Sequence, residues 1–380
     1  MTVTVRSFAK INLGLRIGAA RGDSFHELLT VYQTIGLHDL IRVSLSRGRG
    51  IEIRCSDPQV PRDESNTCYR IVEKAMLELN RKGRVVVDIE KKLPVQGGMG
   101  GASSNAAATL LALERVIKKS LNAEKRLRIA AEVGSDVPLF LLGGTVLGVG
   151  RGEQVYPLED LPGTHCVVVT PGVGVSTPTA FAEWDRRMAE AMQGLKPVSS
   201  QDANAELKRR SSTVDDGAVE NAGLRPAWTG TSARLHTSAR LHTSRLQNNV
   251  AKLTVRNSSD RMNELGRGFS AWLGESYSGA PFRRGRAENP LLELVRAGIK
   301  NDFEEVVFPE YPELSEGKSA LERAGAKYAS LSGSGSALYG LFASKDAASA
   351  AVAKLRRLGW AARATVTLTR KQYWRGIFAR

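Results

Sequence analysis

The stretch Pro94-Val95-Gln96-Gly97-Gly98-Met99-Gly100-Gly101-Ala102-Ser103-Ser104-Asn105 decides the reading of the whole chain. Four of the five positions 97–101 are glycine, so the backbone can turn where a Cβ would forbid it, and main-chain N–H groups can approach an anion closely. From Ala106 to Ile117 the residues are strong helix formers, with Leu110, Leu113 and Ile117 on one face. The pattern predicts a glycine turn that delivers the chain to a helix capped by Ser103 or Ser104. Free amides and the positive end of the helix dipole would point at the turn, making a phosphate site with no lysine in the loop. Two common nucleotide signatures do not fit. Serine stands where the dinucleotide fingerprint needs its third glycine, and Gly317-Lys318-Ser319 has Pro312 where a P-loop needs its first glycine.

The surrounding composition is that of a globular protein. The chain has 380 residues, 42% hydrophobic and 24% charged, which is enough for two domains, each with a core. No apolar run is long enough to cross a membrane, and Met1 to Ser7 alternates like a strand rather than forming a signal core, so the expected location is the cytoplasm. Cys55, Cys68 and Cys166 are scattered, odd in number and without a Cys-x-x-Cys pair, which argues against a disulfide framework and a zinc site. The net charge of +15 invites a nucleic-acid reading, but residues 186–290 hold 17 Lys/Arg against 10 Asp/Glu, and no basic patch interleaved with aromatics stands elsewhere. A small substrate carrying several phosphates explains a positive field equally well.

Towards the N-terminus, Phe8 to Ile17 alternates as a strand and places Lys10 and Asn12 on the same side of the pleat, among apolar neighbours. Arg21-Gly22-Asp23-Ser24 reads as a turn, followed by Phe25-His26-Glu27-Leu28 and a second alternating segment through Ile35. His26 beside an aromatic ring suits a flat ligand, although a lone histidine is more often an ordinary polar residue. Strands are expected at 51–54 and 85–89, with a helix from Cys68 to Leu79 capped by Asn66-Thr67. Towards the C-terminus a helix is expected from Leu121 to Glu132. Asp136 then stands directly ahead of the apolar run Val137 to Leu142, held at a helix start or sharp turn. Strands follow at 145–149 and 166–170. Residues 195–258, with the repeat Ala233-Arg234-Leu235-His236-Thr237-Ser238 recurring at 239–244, read as a flexible insertion. Helices are expected at 261–274, 290–298 and 345–358. Leu331-Ser332-Gly333-Ser334-Gly335-Ser336 reads as a turn between two strands, suited to packing against the first glycine loop.

Taken together, Ala9-Lys10-Ile11-Asn12, the loop from Pro94 to Ser104 and the late loop from Leu331 to Ser336 resemble the three marker motifs of the GHMP small-molecule kinases. Phe25-His26-Glu27-Leu28, Tyr32-Gln33-Thr34-Ile35, Gly134-Ser135-Asp136-Val137-Pro138 and Arg151-Gly152-Glu153 resemble the branch whose acceptor is the cytidyl diphosphate of methylerythritol. That resemblance implies an α/β N-terminal domain of the ribosomal-protein-S5 domain 2 type over 1–165. It also implies a ferredoxin-like α+β domain over 166–380, with 195–258 inserted in it. It implies transfer of the ATP γ-phosphoryl group to a substrate hydroxyl in the non-mevalonate isoprenoid pathway. Lys10 and Asp136 take the catalytic positions, and Pro94, Val95, Gln96, Gly97, Gly98, Met99, Gly100, Gly101, Ala102, Ser103 and Ser104 hold ATP. Mg²⁺ is implied with the nucleotide, with Ser104 a candidate contact. Asn12, Phe25, His26, Thr177 and Phe181 are implied for the cytidyl diphosphate substrate. The chain departs from the pattern at Ser24-Phe25, where Gly-Tyr is usual, and at Met99, where leucine is usual. The alternatives are another kinase of the superfamily, for mevalonate, homoserine or a sugar, and an S5-like RNA-binding protein. Neither a nucleic-acid nor a membrane partner is expected, and the sequence leaves the oligomeric state open.

Overall fold

The computed structural model describes residues 1–193 and 300–378. The expected insertion 195–258 and the expected helices at 261–274 and 290–298 lie outside the described residues. Two sheets form the frame. The first contains β1 (Thr2–Ala20), β2 (His26–Ser46), β3 (Gly50–Cys55), β4 (Arg84–Glu90), β5 (Thr145–Val149) and β6 (Gln154–Pro157), in the order β3-β4-β2-β5-β6, with β1 also paired to β2. The sequence reading divided β1 at Ser7 and missed β6. In fact β1 and β2 form one long antiparallel hairpin whose register slips at Phe8/Ala9, Asn12/Gly14 and Ile17/Ala20. Those irregularities let so long a pair bend around the core.

Helix α1 (Thr67–Glu78) joins the parallel strands β3 and β4, and Asn66 caps it by accepting from the Cys68 N–H, as its sequence predicts. Helices α2 (Gly101–Ile117) and α3 (Ala123–Val133) follow, then a short 3₁₀ turn at Pro138–Leu141. The first core lies between this sheet and α1, α2 and α3, with Ile71, Leu110, Ile129 and Phe140 inside it.

The second sheet has β7 (His165–Val169), β8 (Tyr328–Leu331), β9 (Leu338–Phe342) and β10 (Ala362–Val366), all antiparallel in the order β10-β7-β9-β8. This strand order is that of a ferredoxin-like sandwich, as expected. Helix α4 (Thr177–Gln193) follows β7, while α5 (Phe303–Glu310) and α6 (Pro312–Arg323) precede β8, and α7 (Lys345–Arg357) follows β9. Ser344 caps α7 through the Ala347 N–H. A second apolar cluster binds the sheets together: Ala9, Ile11 and Leu13 of β1 pack with Cys166 and Val168 of β7 and Tyr339 and Leu341 of β9. Residues beyond β10 return to the first core, where α8 (Arg370–Gly376) buries Tyr373 and Phe378 bridges to Val5.

Candidate active site

Alternation along β1 turns Ala9 and Ile11 towards the second core and leaves Lys10 and Asn12 together on the other side. Lys10 Nζ donates to Asn12 Oδ1 at 2.6 Å, Asn12 Nδ2 donates to Thr30 Oγ1 at 2.8 Å, and Thr30 Oγ1 donates to the Gly14 carbonyl at 2.8 Å. The ammonium is thereby held in one place. Its side chain is only 4% exposed, and a charge so deeply buried is costly unless an opposite charge meets it. Asp136 supplies that charge, with Oδ2 at 3.4 Å from Lys10 Nζ.

Asp136 sits in the sharp turn its sequence predicts, ahead of the 3₁₀ turn whose Leu139 and Phe140 are fully buried. Tyr373 Oη donates to the Phe140 carbonyl at 2.6 Å and Trp374 Nε1 to that of Leu142 at 2.9 Å, so α8 braces this turn from behind. On the other carboxylate oxygen, Tyr32 Oη donates to Asp136 Oδ1 at 2.9 Å. Burial, reinforced by the Asp136 charge, pushes the Tyr32 phenol well above its ordinary pKa, so it stays a donor.

The glycine loop meets Lys10 and the 3₁₀ turn that follows Asp136. The Lys10 N–H donates to the Met99 carbonyl at 3.0 Å. A Cβ on Gly100 would stand 3.1 Å from Lys10 Cγ and 2.9 Å from Phe140 Cζ, so strand, loop and aspartate turn converge on a residue without a side chain. The late loop closes on the first, as its composition suggested. Ala337 N–H donates to the Gly97 carbonyl at 3.1 Å, and Ser332 Oγ to the Gly98 carbonyl at 3.0 Å. Asn301 Nδ2 holds the late loop through the carbonyls of Leu331 (2.9 Å) and Gly333 (2.7 Å), a role invisible in the sequence.

The expected serine cap is corrected by the structure. Helix α2 begins after Gly100, which takes a left-handed φ of 67° and makes no side-chain cap. Ser104 already lies in the first turn, where its hydroxyl donates to the Phe8 carbonyl at 2.7 Å and accepts from Ser7 Oγ at 2.7 Å. Strand β1 passes so close to α2 that Ser104 turns inward, and its engaged hydroxyl does not suit a contact to Mg²⁺. The helix N-terminus itself still faces a cleft of about 330 Å³ lined by residues 59–61, 65–67 and 94–103. Lys91, from the end of β4, also lines that cleft, and a Cβ on Gly101 would lie 3.2 Å from its Nζ. Asp39 fixes this lysine at 2.7 Å and also accepts from the N–H groups of Lys92 and Leu93. A cation therefore stands beside the lysine-free loop. Its only trace in the sequence is its place just before Pro94.

The residues implied for the far end of the substrate fall into three places. His26 and Phe181 are stacked on each other, with centroids 4.8 Å apart and planes at 8°, and Phe303 meets Phe181 edge-on at 4.9 Å. Phe25 is exposed on the β1–β2 turn, with the Arg151 guanidinium carbon 4.8 Å from its ring centre. Thr177 lies at the start of α4 and shares a 2.6 Å hydrogen bond with Ser334 of the late loop.

Among the described residues no group of three or more His, Cys, Asp or Glu side chains is arranged to hold a metal ion, and no helix is long and apolar enough to cross a membrane. Family models for the GHMP kinases N terminal domain and the GHMP kinases C terminal match residues 66–144 and 287–359. A 4-diphosphocytidyl-2-C-methyl-D-erythritol kinase from Solibacter usitatus is 32% identical over 343 residues, covering 90% of this chain and 82% of its own. The enzyme of the same name from Streptomyces coelicolor is 37% identical over 230 residues, 60% of this chain and 76% of that one. A crystal structure of 4-(cytidine 5'-diphospho)-2C-methyl-D-erythritol kinase is 25% identical with a TM-score of 0.59, covering 96% of this chain and 98% of that one. A homoserine kinase from Cytophaga hutchinsonii, 16% identical with a TM-score of 0.55 over 97% of this chain and 95% of its own, shares the fold alone. Likeness in sequence over nine-tenths of its length, on a two-sheet frame common to the superfamily, makes this chain a member of the 4-diphosphocytidyl-2-C-methyl-D-erythritol kinase family of GHMP kinases.

Proposed function

We propose that the chain transfers the γ-phosphoryl group of ATP to the 2-hydroxyl of 4-diphosphocytidyl-2-C-methyl-D-erythritol, giving the 2-phosphate and ADP. The observation that carries this reading is that Lys10, paired with Asp136, also packs against the glycine loop at Gly100. Residues 94–103 and the free amides at the start of α2 hold the triphosphate, Ser104 being turned inward, and Lys91 adds a positive charge beside them. Asp136 Oδ2 accepts the proton of the acceptor hydroxyl while that oxygen forms its bond to the γ-phosphorus. The bond from phosphorus to the β–γ bridging oxygen breaks, and ADP leaves. Lys10 orients the hydroxyl and offsets negative charge as it develops. Mg²⁺ belongs to the nucleotide, where it neutralises phosphate charge.

Asn12 and Thr177 serve the middle of the substrate. Phe25, His26 and Phe181 serve the cytosine: the stacked pair His26 and Phe181 offers it an aromatic surface, and Phe25 stands apart on the β1–β2 turn. Substrate and nucleotide are both charged small molecules, consistent with a cytoplasmic reaction. The testing experiment is a coupled ADP-release assay that offers the cytidyl diphosphate, mevalonate, homoserine and galactose in turn. Turnover with the first alone is expected. A preference for any of the others would overturn the assignment.

A further inference from the structure

Arg151 lies in the tight turn between β5 and β6, flanked by Gly150 (φ 71°) and Gly152 (φ 97°), two left-handed positions that glycine alone occupies without strain. One end of this turn touches the catalytic pair: a Cβ on Gly152 would lie 2.3 Å from Tyr32 Oη and 3.9 Å from Asp136 Oδ1. The other end reaches Phe25, one of the residues proposed for the base, since the Arg151 guanidinium carbon sits 4.8 Å from the Phe25 ring centre. A nearby cation, Arg21, is bonded to both Asp23 and Glu27. Arg151 is held more loosely. Of its two carboxylate neighbours, Asp23 is bonded by Arg21, and Glu153 is 3.7 Å from Nε and bonds instead to the Arg151 backbone N–H at 2.6 Å, while the buried Nε has no hydrogen-bond partner.

We propose that Arg151 binds the diphosphate that joins the two ends of the substrate. This rests on the function proposed above, which places the acceptor hydroxyl at Asp136 and the cytosine near Phe25. The group between them carries the negative charge, and Arg151 is the cation whose backbone starts at the first end and whose charge finishes at the second. A guanidinium supported on an aromatic face keeps its N–H groups free to bond sideways, and its fork matches phosphate oxygens. Phe25 then has two tasks: stacking with the base, and supporting the arginine, which needs no phenol hydroxyl.

The test compares wild type with Arg151→Met, which keeps the length of the stem, and Arg151→Lys. The expected result is a KM for the cytidyl diphosphate substrate raised about 10- to 100-fold in Arg151→Met, the scale of a lost charge-assisted contact. The KM for ATP and the kcat should stay within about two-fold of wild type, and Arg151→Lys should recover part of the loss. Inhibition by CDP should weaken in parallel, while inhibition by cytidine stays the same. An unchanged substrate KM overturns the proposal, as does an equal loss for CDP and cytidine, which would confine Arg151 to supporting the ring. Failure of the wild-type enzyme to phosphorylate the cytidyl diphosphate would instead overturn the function on which it rests.

Discussion

Tyr32→Phe removes one oxygen atom and leaves the ring in place. In the structure that oxygen donates to Asp136 Oδ1 at 2.9 Å, while Oδ2 faces Lys10 at 3.4 Å. The phenol therefore fixes which carboxylate oxygen is turned towards Lys10 and the acceptor. A hydrogen bond to a charged group is worth about 1.5–3 kcal/mol. If all of it is spent on holding the reactive geometry, kcat falls about 10- to 150-fold, since about 1.4 kcal/mol is a factor of ten. The cavity left behind is small, because Gly152 lies against the hydroxyl, so the variant should fold with a Tm close to that of wild type. Steady-state kinetics with each substrate varied in turn provide the assay. The reasoning predicts a loss in kcat with both KM values near wild type. An unchanged kcat, or a loss found only in KM, would refute the claim that Tyr32 orients the base.

Asp136→Asn should lower turnover about 10²- to 10⁴-fold while ATP still binds, which equilibrium titration with a fluorescent nucleotide can check. Gly98→Ala places a Cβ 2.1 Å from the Ser332 carbonyl oxygen at a φ of 70°, so it should push the two glycine loops apart and weaken ATP binding at least about ten-fold, measured by the same titration. Tyr32, Tyr339 and Tyr373 are at most 2% exposed, and burial raises their pKa values above the usual 10. Folding thus favours their protonated forms, and the stability they contribute is intact below about pH 10 and lost as pH rises beyond it. Thermal melts against pH should show that fall, and the tyrosinate absorbance of these three residues should appear only with unfolding. Burial likewise pushes the Cys68 thiol up to about 12, so thiol reagents at neutral pH should label it only as the protein opens. Deleting 195–258 should leave kcat/KM within a few-fold, because every residue assigned to the site lies outside that segment.

Short-range pattern carried much of the site. The pleat of β1 put Lys10 beside Asn12, and the four glycines marked a loop ahead of a helix. The run after Asp136 announced a turn against a buried wall. Each depends on neighbours within a few positions, where periodicity and turn chemistry operate. What escaped was set by partners far along the chain. Ser104 looked like a cap by its place before an alanine run, but Phe8 and Ser7, nearly a hundred residues earlier, claim its hydroxyl. The Asp39 clamp on Lys91, the Asn301 grip on the late loop and the buried pairing of Arg16 with Asp302 at 2.7 Å leave no local pattern at all. Strand β6 leaves little pattern because it is four residues long, whereas helix α6 opens on proline at its first position, an ordinary helix start that the sequence reading passed over.

The return of α8 to the first core has a consequence for biosynthesis. The opening strand leaves the ribosome early, yet the turn bearing Asp136 gains its brace from Tyr373 and Trp374 only after more than two hundred further residues have been made. A nascent chain therefore carries this turn without its brace, and the apolar surface behind it uncovered, until α8 has been made.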